Sequence, residues 1–226
     1  MVLLILLMLT ACAAAQQDLL GKMLTFPKQS NTAHVIMSNS SENMNAVTVC
    51  LRFFTDLCRS HTLFSAATPA NDNALLIFKG SRKDKVLVYV NNEEVEFLAQ
   101  DYVRNMWNSL CVTWESVSGL VQLWLNGKPS ARKFASLGVN ITGLPLIILG
   151  QDQDSQGGHF DIIQSFVGMI TDLHMWNSVL LPCDIKRYMD DQNFPQGTVL
   201  NWSMLGFVTT GIVLAEDSQK SCLNNC

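Results

Sequence analysis

The segment Leu149–Gln164, LGQDQDSQGGHFDIIQ, gathers side-chain oxygens and contains no Lys or Arg. Its carboxylates are Asp152, Asp154 and Asp161, although only 15% of the chain is charged. Carboxylates that lie close together without a counter-charge repel one another, so the segment indicates a shared cation. Ca²⁺ fits best because it binds carboxylate, amide, carbonyl and water oxygens. A solvated acidic loop is the alternative.

The spacing of these oxygens allows them to converge on one point. In extended backbone, residues two apart point the same way, so Asp152 and Asp154 can converge while Gln153 turns its carbonyl inward. The Gly-Gly pair that follows permits a sharp return, which brings Asp161 and Gln164 back to the same place. The segment is therefore a candidate calcium loop.

An EF-hand loop is the main rival for this segment. Asp152, Asp154 and Gly157 fit three of its positions, but Ile163 stands where that loop needs a bidentate glutamate. The flanking sequence is also typical of a strand, whereas an EF-hand loop joins two helices. The pattern therefore argues against an EF-hand.

The elements that must position this loop are mostly strands. Short runs rich in Val, Leu, Ile, Phe and Trp are separated by Gly, Asn, Asp and Ser clusters. These runs are AVTVCLRFF, NALLIFK, KVLVYVN, EVEFLA, SLCVTWES, LVQLWLNG, LPLIILG, SFVGMITDLHMW and TVLNWSM. The Asn-Gly pair at 126–127 suits a type I′ hairpin turn.

Only the stretch PCDIKRYMDD has helical spacing, with Pro182 in its first turn and Ile185, Tyr188 and Met189 on one face. Many strands and one short helix favour an all-β fold, an antiparallel jelly-roll β-sandwich of the lectin-like type with the helix on one face. The length of 226 residues, 48% of them hydrophobic, suits one domain. The net charge of -4 gives no basic footprint, which argues against a nucleic-acid partner.

The first segment, MVLLILLMLTACAAA, predicts a secretory signal peptide over residues 1–15, cut after Ala15 to leave a single domain over residues 16–226 with a short Cys-containing tail. An uncleaved anchor is the alternative, because the usual basic residues are missing from its start. No later apolar run is long enough to cross a membrane. We therefore expect a secreted, extracellular protein.

Cysteine usage and glycosylation sequons agree with export. Removing Cys12 with the signal segment leaves six of seven cysteines, an even number that suggests disulfides without fixing their pairing. Sequons at Asn39, Asn140 and Asn201 add weak support, and we expect Asn201 to stay unmodified because VLNWSML is typical of a buried strand.

Several motifs resemble one known family. SLCVTWES, at Ser109–Ser116, is similar to the pentraxin signature, with Ser109 in place of its histidine. FPKQS, TVCLRF, NDNALLIF, SGLVQLWLNGKP, ILGQDQDSQGGHFDIIQSFVG, MWNSVL and VLNW resemble short pentraxins in the same order and spacing. The resemblance covers roughly residues 24–202. The chain is thus identified as a member of the pentraxin family.

The resemblance implies two adjacent Ca²⁺ ions. An earlier Asp-Asn pair in the family matches Asp72 and Asn73, and the later loop matches Asp152, Gln153 through its backbone carbonyl, Asp154, Asp161 and Gln164. The position of Asp154 bridges both ions. Asp152 replaces a glutamate that reaches both, so a side chain shorter by one methylene weakens the expected second site.

The resemblance also implies a calcium-dependent pattern-recognition protein of innate immunity, which binds phosphocholine-like, phosphorylated or carboxylated ligands. Phe78 and Glu94 match an aromatic and an acidic residue that hold choline, a suitable seat for a quaternary ammonium. Tyr89 matches a ligand-pocket tyrosine in another branch of the family. Ordinary strand packing is the alternative for Phe78 and Tyr89.

The family pattern further implies a disulfide between Cys50 and Cys111 across the sandwich, and it leaves the pairing of Cys58, Cys183, Cys222 and Cys226 open. It implies a cyclic homo-oligomer, expected to be a pentamer, with complement components and Fc receptors docking on the helix side. The other histidines, His34, His61 and His174, are expected on the surface or in packed positions, and His159 as a bystander in the loop.

Two other functions remain open. A jelly-roll glycosidase needs a pair of carboxylates, which Asp152 and Asp154 could imitate, but a carboxylate that binds calcium is a poor proton donor. A non-binding matrix module would show no calcium-dependent ligand capture. We expect a protein that is not an enzyme.

Overall fold

The computed structural model describes residues 16–218, so the predicted signal peptide and both Cys222 and Cys226 lie outside the described residues. One sheet is built from β1 Gln16–Gln17, β3 His34–Met37, β5 His61–Ala67, β6 Leu75–Lys79, β7 Val86–Val90, β8 Glu93–Phe97, β13 Leu146–Leu149 and β16 Leu205–Thr210. The other is built from β2 Lys22–Phe26, β4 Ala46–Phe54, β9 Asn108–Glu115, β10 Leu120–Leu125, β11 Lys128–Pro129, β12 Lys133–Phe134, β14 Gly168–Trp176, β15 Leu200–Asn201 and β17 Leu214–Asp217. The helix α1 spans Pro182–Met189, and two 3₁₀ helices span Ile162–Gln164 and Trp202–Met204.

The two sheets confirm the predicted all-β sandwich. The first sheet, the site sheet, has the strand order β1-β16-β3-β13-β5-β6-β7-β8. The second, the helix sheet, has the order β11-β10-β9-β4-β14-β2-β17, with β12 paired to β10 and β15 to β14. All these pairings are antiparallel, and many neighbours are distant in sequence, as a jelly roll requires.

The core lies between the sheets and follows strand alternation. In β4, Val47, Val49, Leu51 and Phe53 are fully buried members of this core. Strand side chains alternate between faces, so Cys50 points to the opposite, outer face of the helix sheet. AVTVCLRFF was predicted as a strand, and β4 matches it from end to end.

The outer face of the helix sheet is covered by α1. Ile185, Tyr188 and Met189 pack there in a cluster with Trp124, Trp176, Leu180, Cys50 and Cys111. This confirms the predicted helix and its apolar face, although the helix ends at Met189, before the two aspartates that the sequence pattern included. Pro182 stands in its first turn, where a missing N–H costs nothing.

The disulfide Cys50–Cys111 is confirmed, but its expected location across the sandwich is wrong. The two residues are direct cross-strand partners on β4 and β9, with Cα atoms 4.1 Å apart, so the bond lies within one sheet. The physical reason is the alternation of β4, which turns Cys50 away from the core. Cys58 and Cys183 are exposed and form no disulfide among the described residues.

The predicted hairpin turn is also present. Asn126 and Gly127 have φ values of 50° and 81° and join β10 to β11. The run TVLNWSM differs from expectation, because only Leu200–Asn201 is strand and Asn201 caps the following 3₁₀ helix through its side-chain oxygen. Asn39 donates its amide to the carbonyl of Pro145, whereas Asn140 is exposed. No helix among residues 16–218 is long and apolar enough to cross a membrane.

Two histidines are buried inside this framework. Burial, reinforced by the charges of Lys79 and Arg59, lowers the pKa of His61 to about 4. Burial next to Arg52 lowers the pKa of His174 to about 4 as well. Both side chains are therefore packed and neutral at pH 7, as the sequence analysis expected for non-catalytic histidines.

Acid should destabilise the fold through these two groups. The unfolded chain binds a proton at each imidazole below about pH 6.5, but the folded chain does so only near pH 4, so the free energy of unfolding falls as the pH drops through this interval. Each histidine should contribute a loss of about 2 kcal/mol between about pH 7 and about pH 5, whereas Asp152, with its pKa raised to about 7, contributes with the opposite sign. The effect of one histidine is therefore measured as a difference between two chains by urea unfolding. His174→Phe keeps an aromatic ring, and the unaltered chain should lose about 2 kcal/mol relative to it over this interval; a difference that does not change with pH would contradict the assignment.

Candidate metal centre and ligand pocket

The loop that follows β13 is braced by Gln153. This side chain is fully buried, and its Nε2 donates to the carbonyls of Ser65 and Leu146 at 3.2 and 3.1 Å. Its Oε1 accepts a hydrogen bond from the backbone N–H of Gly157 at 2.9 Å. The side chain is thus committed to holding the loop on the site sheet, so only the backbone carbonyl of Gln153 is left for the predicted ligand role.

The far end of the loop is closed by a short 3₁₀ helix. Asp161 caps it by accepting a hydrogen bond from the N–H of Ile163 at 3.0 Å. The chain then returns to the site sheet, where the N–H of Phe166 donates to the carbonyl of Gly150 at 3.0 Å. This closure holds Gln164 between Asp161 and the base of the loop.

The second contributing segment lies just before β6. The N–H of Asn73 donates both to Asp72 Oδ1 at 3.1 Å and to Asn92 Oδ1 at 2.9 Å. Asn92 thereby fixes the Asp-Asn pair, a role that the sequence analysis missed. The signal was weak, because VNNEEVEF contains two adjacent asparagines that suit any turn.

Four carboxylates from the two segments influence one another. Burial raises the pKa of Asp152 to about 7, and the charges of Asp154 and Asp72 add to this effect. The pKa of Asp154 is also raised, first by burial and then by Asp72 and Asp161. The structure therefore brings Asp72 together with the loop carboxylates, and their role as metal ligands stays a prediction.

Three oxygens in this cluster are buried and lack a hydrogen-bond donor. They are Asn73 Oδ1, Asp152 Oδ1 and Gln164 Oε1. An unsatisfied buried polar atom typically costs about 1–3 kcal/mol, so three in one place call for a common partner. Hard cations bind such carboxylate and amide oxygens, and the residues present therefore fit Ca²⁺.

Carboxylates alone do not complete this centre. Within residues 16–218, no three side chains of His, Cys, Asp or Glu are grouped closely enough to hold a metal ion by themselves. A metal ion at this place would therefore also need the amide oxygens and the Gln153 carbonyl as ligands. His159, with a positive φ of 59°, lies near Asp154, beside the cluster, and has no side-chain oxygen to offer.

A small apolar patch adjoins the cluster on the outer face of the site sheet. Leu76, Phe78 and Leu87 pack there, with Tyr89 against them. Phe78 is 9% exposed, so most of its ring is packed against its neighbours on the sheet. This agrees with the alternative of ordinary strand packing. The remaining exposed edge of Phe78 contributes to the floor of the patch.

Tyr89 connects the patch to the acidic cluster. Its hydroxyl donates to Glu94 Oε2 at 2.5 Å, and the two residues are cross-strand partners on β7 and β8. Burial raises the pKa of Tyr89, and the negative charges of Glu94 and Asp152 raise it further. The predicted ligand residues Phe78, Tyr89 and Glu94 therefore share one surface with the predicted calcium ligands.

Comparisons with known proteins agree with this arrangement. The Pentaxin family model matches residues 22–216. Serum amyloid P-component of Sus scrofa is 38% identical over 203 residues, covering 89% of this chain and 90% of that protein. C-reactive protein of Xenopus laevis is 40% identical over 204 residues, covering 89% and 85%.

A solved structure shows the same fold. The heptameric SAP-like pentraxin from Limulus polyphemus superposes with a TM-score of 0.81 at 23% identity, covering 89% of this chain and 97% of that one. A family match over most of the chain, with relatives near 40% identity, leaves one conclusion: this chain belongs to the pentraxin family.

Proposed function

We propose that this pentraxin is a secreted, calcium-dependent pattern-recognition protein that binds phosphocholine-like, phosphorylated or carboxylated ligands. One observation carries the proposal. Buried oxygens of Asn73, Asp152 and Gln164 lack donors inside a cluster of four interacting carboxylates, directly beside the Tyr89 patch. A cation would satisfy the cluster and make the adjoining surface attractive to anions.

The residues that would bind the metal come from two segments of the chain. Asp72 and Asn73 approach from the turn before β6, and Asp152, Gln153, Asp154, Asp161 and Gln164 approach from the loop after β13. When bound, Ca²⁺ would neutralise the carboxylates and offer open positions to phosphate or carboxylate oxygens. The geometry is compatible with two ions and supports Asp154 as a shared ligand, because Asp154 interacts with both Asp72 and Asp161.

The apolar patch supports recognition of a cationic headgroup next to that anion. Phe78 and Tyr89 offer aromatic surface, and Glu94 adds a carboxylate at the rim. An aromatic face with a nearby negative charge attracts a quaternary ammonium. Because Glu94 already accepts the hydroxyl of Tyr89, the two residues would act as one unit toward choline.

The proposed assembly places all ligand sites on one side. The metal cluster and patch lie on the outer face of the site sheet, and α1 covers the outer face of the helix sheet on the opposite side. A similar structure is that of a heptameric pentraxin, and we infer a cyclic homo-oligomer here, with five subunits expected. Weak sites joined in a ring gain avidity on repetitive surfaces. The helix side would then be free for complement components and Fc receptors.

A jelly-roll glycosidase is the different-class alternative. Asp152, with its pKa raised to about 7, beside Asp154 could act as an acid next to an ionised carboxylate. The unsatisfied amide oxygens of Asn73 and Gln164 argue against this, because a proton-transfer pair does not need them. Turnover of a glycan by this protein would overturn the proposal. A non-binding matrix module, the other alternative, would show no calcium-dependent capture of ligand.

One experiment tests the proposed function directly. The secreted protein is loaded on a phosphocholine matrix with calcium, and it is eluted either by EDTA or by free phosphocholine. Elution by both supports a calcium-dependent phosphocholine site. Elution by EDTA alone indicates another anionic ligand, and failure to bind with calcium present counts against phosphocholine.

Asp154→Ala should weaken calcium binding and phosphocholine capture together. The side chain is exposed and forms no hydrogen bond among the described residues, so the fold should persist while the cluster loses its shared carboxylate. Calorimetry should show calcium affinity reduced about tenfold or more. Glu42→Ala removes one exposed negative charge outside any ion pair of residues 16–218 and serves as the matched control. Calcium-dependent capture by Asp154→Ala would refute the role of the loop.

Asp152→Glu should strengthen the second calcium site. Asp152 is 5% exposed and one of its oxygens lacks a partner, so one added methylene can carry the carboxylate farther into the cluster. We expect the weaker of two calcium-binding steps to tighten by about threefold or more. Unchanged or weaker binding in calorimetry would show that the shorter side chain already reaches every ion.

The mature protein should behave as a ring of several subunits. Light scattering at micromolar concentration with calcium present should give a mass near five times that of one chain. A strict monomer under these conditions would contradict the proposed assembly. Denaturing gels without reductant, run beside a Cys222→Ser, Cys226→Ser variant, distinguish a non-covalent ring from subunits linked by disulfides.

A further inference from the structure

A basic cavity lies at one end of the sandwich, outside the metal cluster and the ligand patch. It has a volume of about 130 Å³, roughly the liquid volume of four waters, and no Asp or Glu lines it. Three separate segments contribute its polar lining: Cys58, Arg59, Lys79, Lys83, Tyr102 and Arg104. Four positive charges thus surround a small space in a chain whose net charge is -4.

None of these four cations forms an ion pair within residues 16–218. Arg59 donates to the carbonyls of Ser60, Ile163 and Ser165 at 3.0, 2.8 and 2.7 Å. Lys79 donates to the carbonyls of Gly80 and Arg82 at 2.8 and 2.6 Å. Neutral carbonyl oxygens satisfy donors without forming an ion pair, and the carboxylates that act on these cations, Asp84 and Asp101, lie outside the lining of the cavity.

Lys79 and Tyr102 form the buried wall of the cavity. Lys79 is 3% exposed, and its ammonium lies 4.9 Å from the centre of the Tyr102 ring. Burial lowers the pKa of Lys79 to about 8, a change that the charge of Asp84 opposes and the charge of Arg104 reinforces. A buried cation this close to losing its proton would gain from a bound anion.

The Tyr102 hydroxyl supplies an independent sign of a missing ligand. Tyr102 is 3% exposed, and its Oη is buried without a hydrogen-bond partner. Burial raises the pKa of Tyr102 to about 12, with opposite effects from Arg104 and Asp56, so the hydroxyl stays protonated and must act as a donor at neutral pH. A buried donor among cations that form no ion pair calls for a compact anion with several acceptor oxygens.

We infer that this cavity binds a tetrahedral oxyanion, the phosphate or sulfate group of a free ion or of a monoester. The Tyr102 hydroxyl and the guanidinium of Arg104 would donate to its oxygens, and Lys79 and Lys83 would balance its charge. Binding at this site needs no calcium. Strand alternation also separates it from the ligand patch, because Phe78 faces outward while Lys79 contacts Tyr102, a residue of the core between the sheets.

The exposed thiol of Cys58 on the cavity wall offers a direct readout. An ion in the cavity should shield this thiol from iodoacetamide, whereas the exposed Cys183 on α1 lies elsewhere and provides an internal reference in the same chain. Alkylation at each cysteine is followed by peptide mass spectrometry in EDTA at constant ionic strength, with inorganic sulfate or inorganic phosphate as the probe. We expect saturable slowing at Cys58 and an unchanged rate at Cys183.

Variants separate a built site from general charge effects. Arg104→Ala, at an exposed position, should weaken sulfate protection about tenfold, the value expected for one charge-assisted hydrogen bond. Tyr102→Phe keeps the ring against Phe53 and Lys79 and should weaken protection about fivefold without loss of stability in anion-free buffer. Lys28→Ala, an exposed cation outside any ion pair of residues 16–218, should leave protection unchanged. Arg59 stays unmutated because it holds carbonyls that flank Gln164.

Equal slowing at Cys58 and Cys183, or equal protection in all variants, would overturn the inference. Equal protection by inorganic sulfate and by glucose 6-sulfate would identify an ester group as a ligand, and protection by the inorganic ion alone would identify a free ion. Because every measurement is made in EDTA, a negative result would not bear on the proposed calcium site. Likewise, a failure to bind calcium would not bear on the inferred anion site.

Discussion

Repulsion among neighbouring carboxylates, of which Asp152 is buried, is the constraint on which the loop after β13 and the turn before β6 depend. Asp152 lies 5% exposed beside Asp154 and within the influence of Asp72, with no Lys or Arg in the loop to compensate them. Neutral braces maintain this arrangement: the amide of Gln153 fastens the loop to β5 and β13, and Asn92 fixes the turn before β6. The fold therefore fixes the position of the carboxylates, and under the proposed function a bound cation would supply the opposite charge.

The two outer faces of the sandwich are covered differently. The site sheet leaves its outer face to the loop and the Tyr89 patch, where polar groups stay near solvent. The helix sheet buries its outer face under α1, around the Cys50–Cys111 bond. Arg52 reinforces that cover from β4, because its guanidinium donates to the carbonyl of Tyr188 and to Ser109 and pairs with Asp172 at 3.1 Å. Structural changes in the loop after β13 should therefore have little effect on α1.

Short runs of residues predicted the strands and turns that depend on neighbours in the chain. The richness of AVTVCLRFF in Val, Leu and Phe identified β4 from end to end, and the Asn-Gly pair identified the hairpin turn between β10 and β11. The strand β5, HTLFSAA, was missed because it combines only two large apolar residues with His, Ser and Ala, although the fold buries all seven residues. The meeting of Asp72 with Asp152 depends on β6 lying beside β5 and β13, so spacing alone could not reveal it and the family resemblance did. The expected location of the disulfide across the sandwich was wrong. Knowing that Cys50 and Cys111 are bonded does not say which face of a sheet they occupy.

The basic cavity was invisible to sequence reasoning for the same reason, since its cations come from three segments that only the fold assembles. A net charge of -4 hides the resulting separation, with no Lys or Arg in the acidic loop and no Asp or Glu in the lining of the cavity. Asp152 and Lys79 are buried members of the two groups, and a buried charge without an ion pair costs free energy. Under the proposed function and the inferred anion site, a bound cation and a bound anion would each offset part of this cost. The segregation of charge is therefore itself an argument for ligands at both places.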